Sequence, residues 1–146
     1  MTGWLLDTDV LSVFAPGKPA VPREIAAWFE ARSERLFLSA ITAAEIVAGI
    51  AKLQRSGARP RADGLRAWFE RIVEWYGDRI LPFDLRAARI AGSLGDEAGA
   101  RGRHPGFADV AIAAIAKSND LAVLTLNLRH FEPLGIAALD PFDGDC

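Results

Sequence analysis

Three carboxylates stand at points where the chain should turn from one element into the next. Asp7 follows the apolar run Trp4-Leu5-Leu6, Glu45 lies at the front of "TAAEIVAGIAKLQ", and Asp109 falls in the opening turn of "FADVAIAAIAKS". If the three converge, their charges repel. Two unit charges about 4 Å apart near a protein surface cost about 4 kcal/mol at an effective dielectric of 20, so three ionised acids call for a cation between them. Oxygen donors with positions left over for water suit Mg²⁺, with Mn²⁺ a near substitute. Such ions serve phosphate chemistry, where they activate water and offset charge on the attacking and leaving oxygens. No His and Cys set with zinc spacing is present.

Each acid also has a structural reading. Thr42-x-x-Glu45 matches a capping box, and Asp9 and Asp84 read as helix N-caps. Asp109 differs, because the helix it opens is apolar around most of its circumference, and a carboxylate there needs more than the helix dipole for company. The two histidines, His104 and His130, leave open a metal-free mechanism by paired imidazoles, which would survive EDTA. Asp7-x-Asp9 after a strand also fits a phosphatase of the haloacid dehalogenase type, although Leu11 stands where that pattern usually has Thr or Val.

The elements that must position these groups form one domain. The chain has 146 residues, enough to bury a core without a metal or disulfide. Its net charge of −2 excludes a bulk electrostatic attraction to nucleic acid, so any such contact rests on local patches. The lone Cys146 cannot form an internal disulfide, the acids near the N-terminus do not suit a signal peptide, and no apolar run reaches membrane-span length. A cytoplasmic protein with no membrane contact is expected. Short apolar runs at residues 4–6, "RLFLSA", "RILPF", "LAVLTL" and "GIAAL" alternate with helical patterns, with a loop at "RSGARPRADG". That alternation predicts a single α/β domain over residues 1–146, with a central, mostly parallel sheet flanked by helices. Ligands of such sheets gather at the strands' carboxyl edge, where these acids fall.

"LLDTDVLS", "SAITAAEIVAGI", "FADVAIAAIA" and "LTLNLRHF", in that order, resemble the PIN-domain ribonucleases, and specifically the toxin component of VapBC toxin–antitoxin pairs. The likeness spans nearly the whole chain. It implies a three-layer α/β fold, Mg²⁺- or Mn²⁺-dependent endonucleolytic cleavage of RNA, and Asp7, Glu45 and Asp109 as metal ligands. It further implies homodimerisation and a cognate VapB-type antitoxin, which would insert an Arg or Lys among the carboxylates. The family often has a further acid near the final strand, where this chain offers Asn127 and His130. Asn127 would accept a hydrogen bond from a water on the metal and His130 would touch the scissile phosphate; a turn-stabilising Asn and a surface His are the alternatives. Thr8 and Thr125, beside strand ends, would assist through their hydroxyls.

Negative substrate needs cations near the acids. Arg101, Arg103 and His104, just ahead of Asp109, are the first choice for RNA binding, and Lys52, Arg55, Arg59 and Arg61 the second. Of Trp28, Phe29, Trp68, Phe69, Trp75 and Tyr76, about half are expected in the core and the rest in a groove for an apolar partner helix. The competing expectation is an interaction module that kept the fold and lost the chemistry.

Overall fold

The computed structural model describes residues 2–143; Met1 and residues 144–146 lie outside the described residues, and with them the reading attached to the Cys146 thiol. Five strands make the sheet: β1 (Gly3–Leu6), β2 (Leu36–Ser39), β3 (Ile80–Leu81), β4 (Leu121–Leu124) and β5 (Ala138–Leu139). Their order is β3-β2-β1-β4-β5, and every pairing is parallel. The sheet is thus more uniform than the mostly parallel one expected. Pro82, which has no N–H to donate, shortens the run "RILPF" to a two-residue edge strand.

The helices are α1 (Thr8–Ser12), α2 (Arg23–Ala31), α3 (Ala40–Arg55), α4 (Arg59–Tyr76), α5 (Leu85–Ala100), α6 (Phe107–Ser118) and α7 (Leu128–Phe131). Successive side chains of a strand face opposite ways, so Leu5, Leu121 and Val123 meet α5 and α6, while Leu6, Leu36, Leu38 and Leu124 meet α1 to α4. Three layers result. Helix α6 is buried from Val110 through Ala116, and its alanines let α5 approach through Ala87, Ala91 and Ala98. No helix among the described residues is long and apolar enough to cross a membrane.

The loop expected at "RSGARPRADG" is helical from Arg59, because Pro60 in the first turn gives up no needed hydrogen bond. Trp68 and Phe69 are both buried although adjacent, since α4 turns a broad apolar face to α3 and the sheet. Phe29 is buried too, and Trp75 is 81% exposed. At the strands' amino edge, a Cβ added to Gly3 would lie 2.3 Å from the Arg35 carbonyl oxygen. Gly3→Ala is therefore expected to cost about 3 kcal/mol, read from denaturation midpoints at constant slope, by forcing backbone from backbone. A change well below about 1 kcal/mol would show that the turn yields freely.

Candidate active site

The strand order reverses between β1 and β4, which opens a crevice at their carboxyl ends where the two connections diverge. Asp7 occupies that point. Its backbone N–H donates to the Leu124 carbonyl at 2.8 Å. Its Oδ1 accepts from the Thr8 N–H at 2.8 Å, and its Oδ2 accepts from Thr125 Oγ1 at 2.9 Å. Thr125, immediately after β4 and fully buried, also accepts from the Asn127 N–H at 3.0 Å. One hydroxyl thus fixes the orientation of the Asp7 carboxylate and ties the ends of both central strands.

Glu45 reaches the same edge from α3. Its Oε1 accepts from Thr8 Oγ1 at 2.7 Å, and that hydroxyl stands 3.0 Å from Thr42 Oγ1. The capping-box expectation is corrected here. Ser39, where β2 ends, caps α3 by accepting from the Thr42 N–H at 3.0 Å. The helix starts earlier than local sequence suggests, which carries Glu45 past the first turn and toward α1. Asp84 does cap α5, accepting from the Ala87 N–H at 2.9 Å.

Asp109 is the third residue of α6, and its Oδ2 lies 3.2 Å from His130 Nδ1 on α7. Asp9, read above as a cap, is not one: Asp7 caps α1. Asp9 Oδ2 instead accepts from the Leu126 N–H at 3.1 Å and from Asn127 Nδ2 at 2.7 Å, so Asn127 orients a carboxylate. Asp9 Oδ1 is buried without a hydrogen-bond partner. The structure therefore adds a fourth acid to the three expected, and the Asp-x-Asp spacing at a strand–helix junction was its signal.

The acids feel one another. Burial, reinforced by the charges of Asp9 and Asp109, pushes the Asp7 carboxyl up to about 6 against the hydrogen bonds from Thr125 and Thr8. Burial also raises Asp9, opposed by the Leu126 and Val10 amides and the Asn127 side chain. Asp109 is raised by burial and by Glu45 and Asp9, with His130 pulling it down. Mutual repulsion among these carboxylates, with a buried and unpartnered oxygen on Asp9, is what a hard cation relieves. Among the described residues no three His, Cys, Asp or Glu side chains form a ready-made cage. Mg²⁺ does not need one, because it keeps several waters and takes one or two carboxylates. The donor set, oxygen throughout, fits that class of ion.

Thr125→Val keeps the shape and removes the hydroxyl. The expected result is a stability loss of about 1–3 kcal/mol, because the Asp7 oxygen and the Asn127 amide both lose their partner. Denaturant titration checks this, and an unchanged midpoint would contradict it.

The cations divide by position. Lys52 and Arg55 close α3, about 10–15 Å along its axis from Glu45, and Arg59 and Arg61 open α4 rather than lying in a loop. Arg101 donates to the Pro133 carbonyl. Arg103 and His104 are exposed in the segment leading to α6, and Arg129, not singled out above, is exposed beside His130.

A sheet with its strand order reversed at a carboxylate-lined crevice defines a class, and the chain's membership is shown: the PIN domain family matches residues 4–134, and this chain belongs to that family. More narrowly, it is 34% identical to "Toxin FitB" of Neisseria gonorrhoeae, covering 94% of this chain and 97% of the relative. It is 33% identical to "VapC ribonuclease Y4jK" of Sinorhizobium fredii, covering 95% and 97%. Among solved structures, FitAcB from Neisseria gonorrhoeae is similar with a TM-score of 0.83 at 33% identity, over 96% of this chain and 99% of that one. DNA-bound VapBC from Salmonella typhimurium is similar with a TM-score of 0.78 at 28% identity, over 97% and 99%. Asp7-x-Asp9 thus belongs to a PIN domain and not to a haloacid dehalogenase.

Proposed function

We propose that this protein is the ribonuclease toxin of a VapBC-type toxin–antitoxin pair. It hydrolyses phosphodiester bonds of single-stranded or structured RNA, with Mg²⁺ or Mn²⁺ drawn in by Asp7, Glu45 and Asp109, one or two of them ligating it directly and the rest through its waters, and with Asp9 adding charge beside them. One observation carries the reading: four carboxylates share an edge, and among the described residues none is ion-paired to Arg or Lys. The relatives named as VapC ribonuclease and toxin, and the VapBC complex among the similar structures, support it.

A bound cation supplies Lewis acidity toward a phosphate oxygen and the attacking water. The chain's own residues do the rest. Thr125 and Thr8 hold Asp7 and Glu45 in fixed orientations, Asn127 holds Asp9, and His130 holds Asp109, so little ordering remains when substrate arrives. Arg103, His104 and Arg129 draw the RNA backbone to an otherwise negative edge. Water's oxygen bonds to phosphorus, the P–O3′ bond breaks, and O3′ takes a proton, leaving a 5′-phosphate and a 3′-hydroxyl. A VapB-type antitoxin blocks the edge by placing an Arg or Lys among the acids, satisfying the same unpaired charge, and the toxin pairs with a second copy of itself.

Purified protein incubated with mixed RNA tests this. Cleavage is expected with Mg²⁺ or Mn²⁺, lost in EDTA and suppressed by the cognate antitoxin. Cleavage that survives EDTA would point to the imidazoles instead. No cleavage under any metal, beside a stable antitoxin complex, would identify an interaction module.

A further inference from the structure

Among the described residues, two cavities border the carboxylate edge, and Leu126, 38% exposed, lines both. The larger, about 430 Å³, has apolar walls from Val13, Pro19, Val21 and Pro22, with Lys18 among its lining residues and Asp9 on the side of the site. The smaller, about 380 Å³, is lined by Asn127, Arg129 and His130 together with Leu126, Leu128 and Asp140. Each touches the acids through a hydrogen bond already described: Leu126 N–H and Asn127 to Asp9, and His130 to Asp109. The loop that walls the larger cavity carries Pro16, Pro19 and Pro22, whose fixed φ angles leave it little freedom to collapse.

We propose that these cavities take the two nucleotides flanking the scissile phosphate, with Leu126 as the ridge that keeps their bases from stacking on each other. This rests on the ribonuclease reading above. The apolar cavity receives one unpaired base, its faces against Val13, Val21 and the prolines, while Lys18 meets that nucleotide's outward phosphate. The volume is in the range of small-ligand sites and ample for one nucleotide. The smaller cavity holds the neighbouring nucleotide, its ribose over Leu128 and its phosphate near Arg129. A base inside a duplex would have to leave its stack and its partner to enter, so the same wall that binds an unpaired base discriminates against paired RNA.

The test uses a short RNA with a mapped cleavage site and two derivatives, each with an abasic ribose on one side of the scissile bond. For the wild-type protein, kcat/KM is expected to fall about tenfold or more with one of the two derivatives. Val21→Trp, which fills the cavity and replaces none of the acids, is expected to lose the same factor on intact RNA, mainly through KM. It should then lose nothing further on the abasic RNA and keep the wild-type rise in melting temperature with Mn²⁺. Ala20→Trp, at an exposed position on the same wall, repeats the experiment should Val21→Trp melt abnormally. Indifference of the active enzyme to both abasic derivatives, or undiminished sensitivity in the Trp variants, overturns this inference alone. Absence of any metal-dependent cleavage by the wild type removes the ribonuclease reading and this inference together.

Discussion

Asp7→Asn is expected to slow RNA cleavage by about 10³-fold or more, a loss of about 4 kcal/mol of transition-state stabilisation. The substitution is nearly isosteric. An amide oxygen still accepts from the Thr8 N–H, so the cap of α1 survives, while the charge at the junction of β1 and β4 is gone. The loss should appear in kcat, because Asp7 would hold the cation that offsets charge developing at the reacting phosphate. It should come without unfolding: relieved of its like-charged neighbours, the variant is expected to melt no lower than the wild type at pH 8 in chelator. A variant that cleaves RNA at within tenfold of the wild-type rate would place the chemistry elsewhere.

The second large effect is on stability, and its sign follows from Asp7. Burial first, then the charges of Asp9 and Asp109, raise its carboxyl from 3.8 to about 6 in the folded chain. The folded state therefore holds this proton more tightly than the unfolded one. Its contribution to stability is complete below pH 4 and is lost as pH climbs through 6, amounting to about 3 kcal/mol. Asp9 and Asp109, raised for the same first reason, add to the trend. Urea denaturation in chelator, wild type minus Asp7→Asn at each pH, isolates the term from the ordinary titration of other acids. The difference should grow steadily against the wild type between pH 4 and 7. A flat difference, or one of opposite sign, would mean that Asp7 is neither crowded nor desolvated.

Much of this site was legible in the sequence because strand–helix junctions declare themselves locally. Asp7 follows a strand and Asp109 opens a helix whose periodicity is plain, Glu45 lies early in another helix, and parallel βα architecture brings such junctions to one edge. What was not legible depends on contacts between distant segments. Asp9 looks like a cap until Leu126 and Asn127, which follow β4, donate to it across the switch point. Thr42 and Glu45 have capping-box spacing, yet the end of β2 sets where α3 begins and Ser39 takes the cap. His130 stood as a phosphate contact or a surface residue until α7 brought it against Asp109. Trp68 and Phe69 are both buried because the α3 and sheet surface beneath α4 is broad enough for adjacent side chains, a tertiary property that helical spacing alone does not show. The larger cavity likewise arises only where the 16–22 loop meets Leu126.

That these acids share one site for a divalent cation is tested by titrating Mn²⁺ against melting temperature at pH 8. For the wild type, a saturating rise is expected, worth about 2.7 kcal/mol at a hundred times Kd and roughly 8 °C for a chain of this size, with most of it absent in Asp109→Asn. A wild-type melting temperature that does not move with Mn²⁺, or that moves equally in Asp109→Asn, would contradict it.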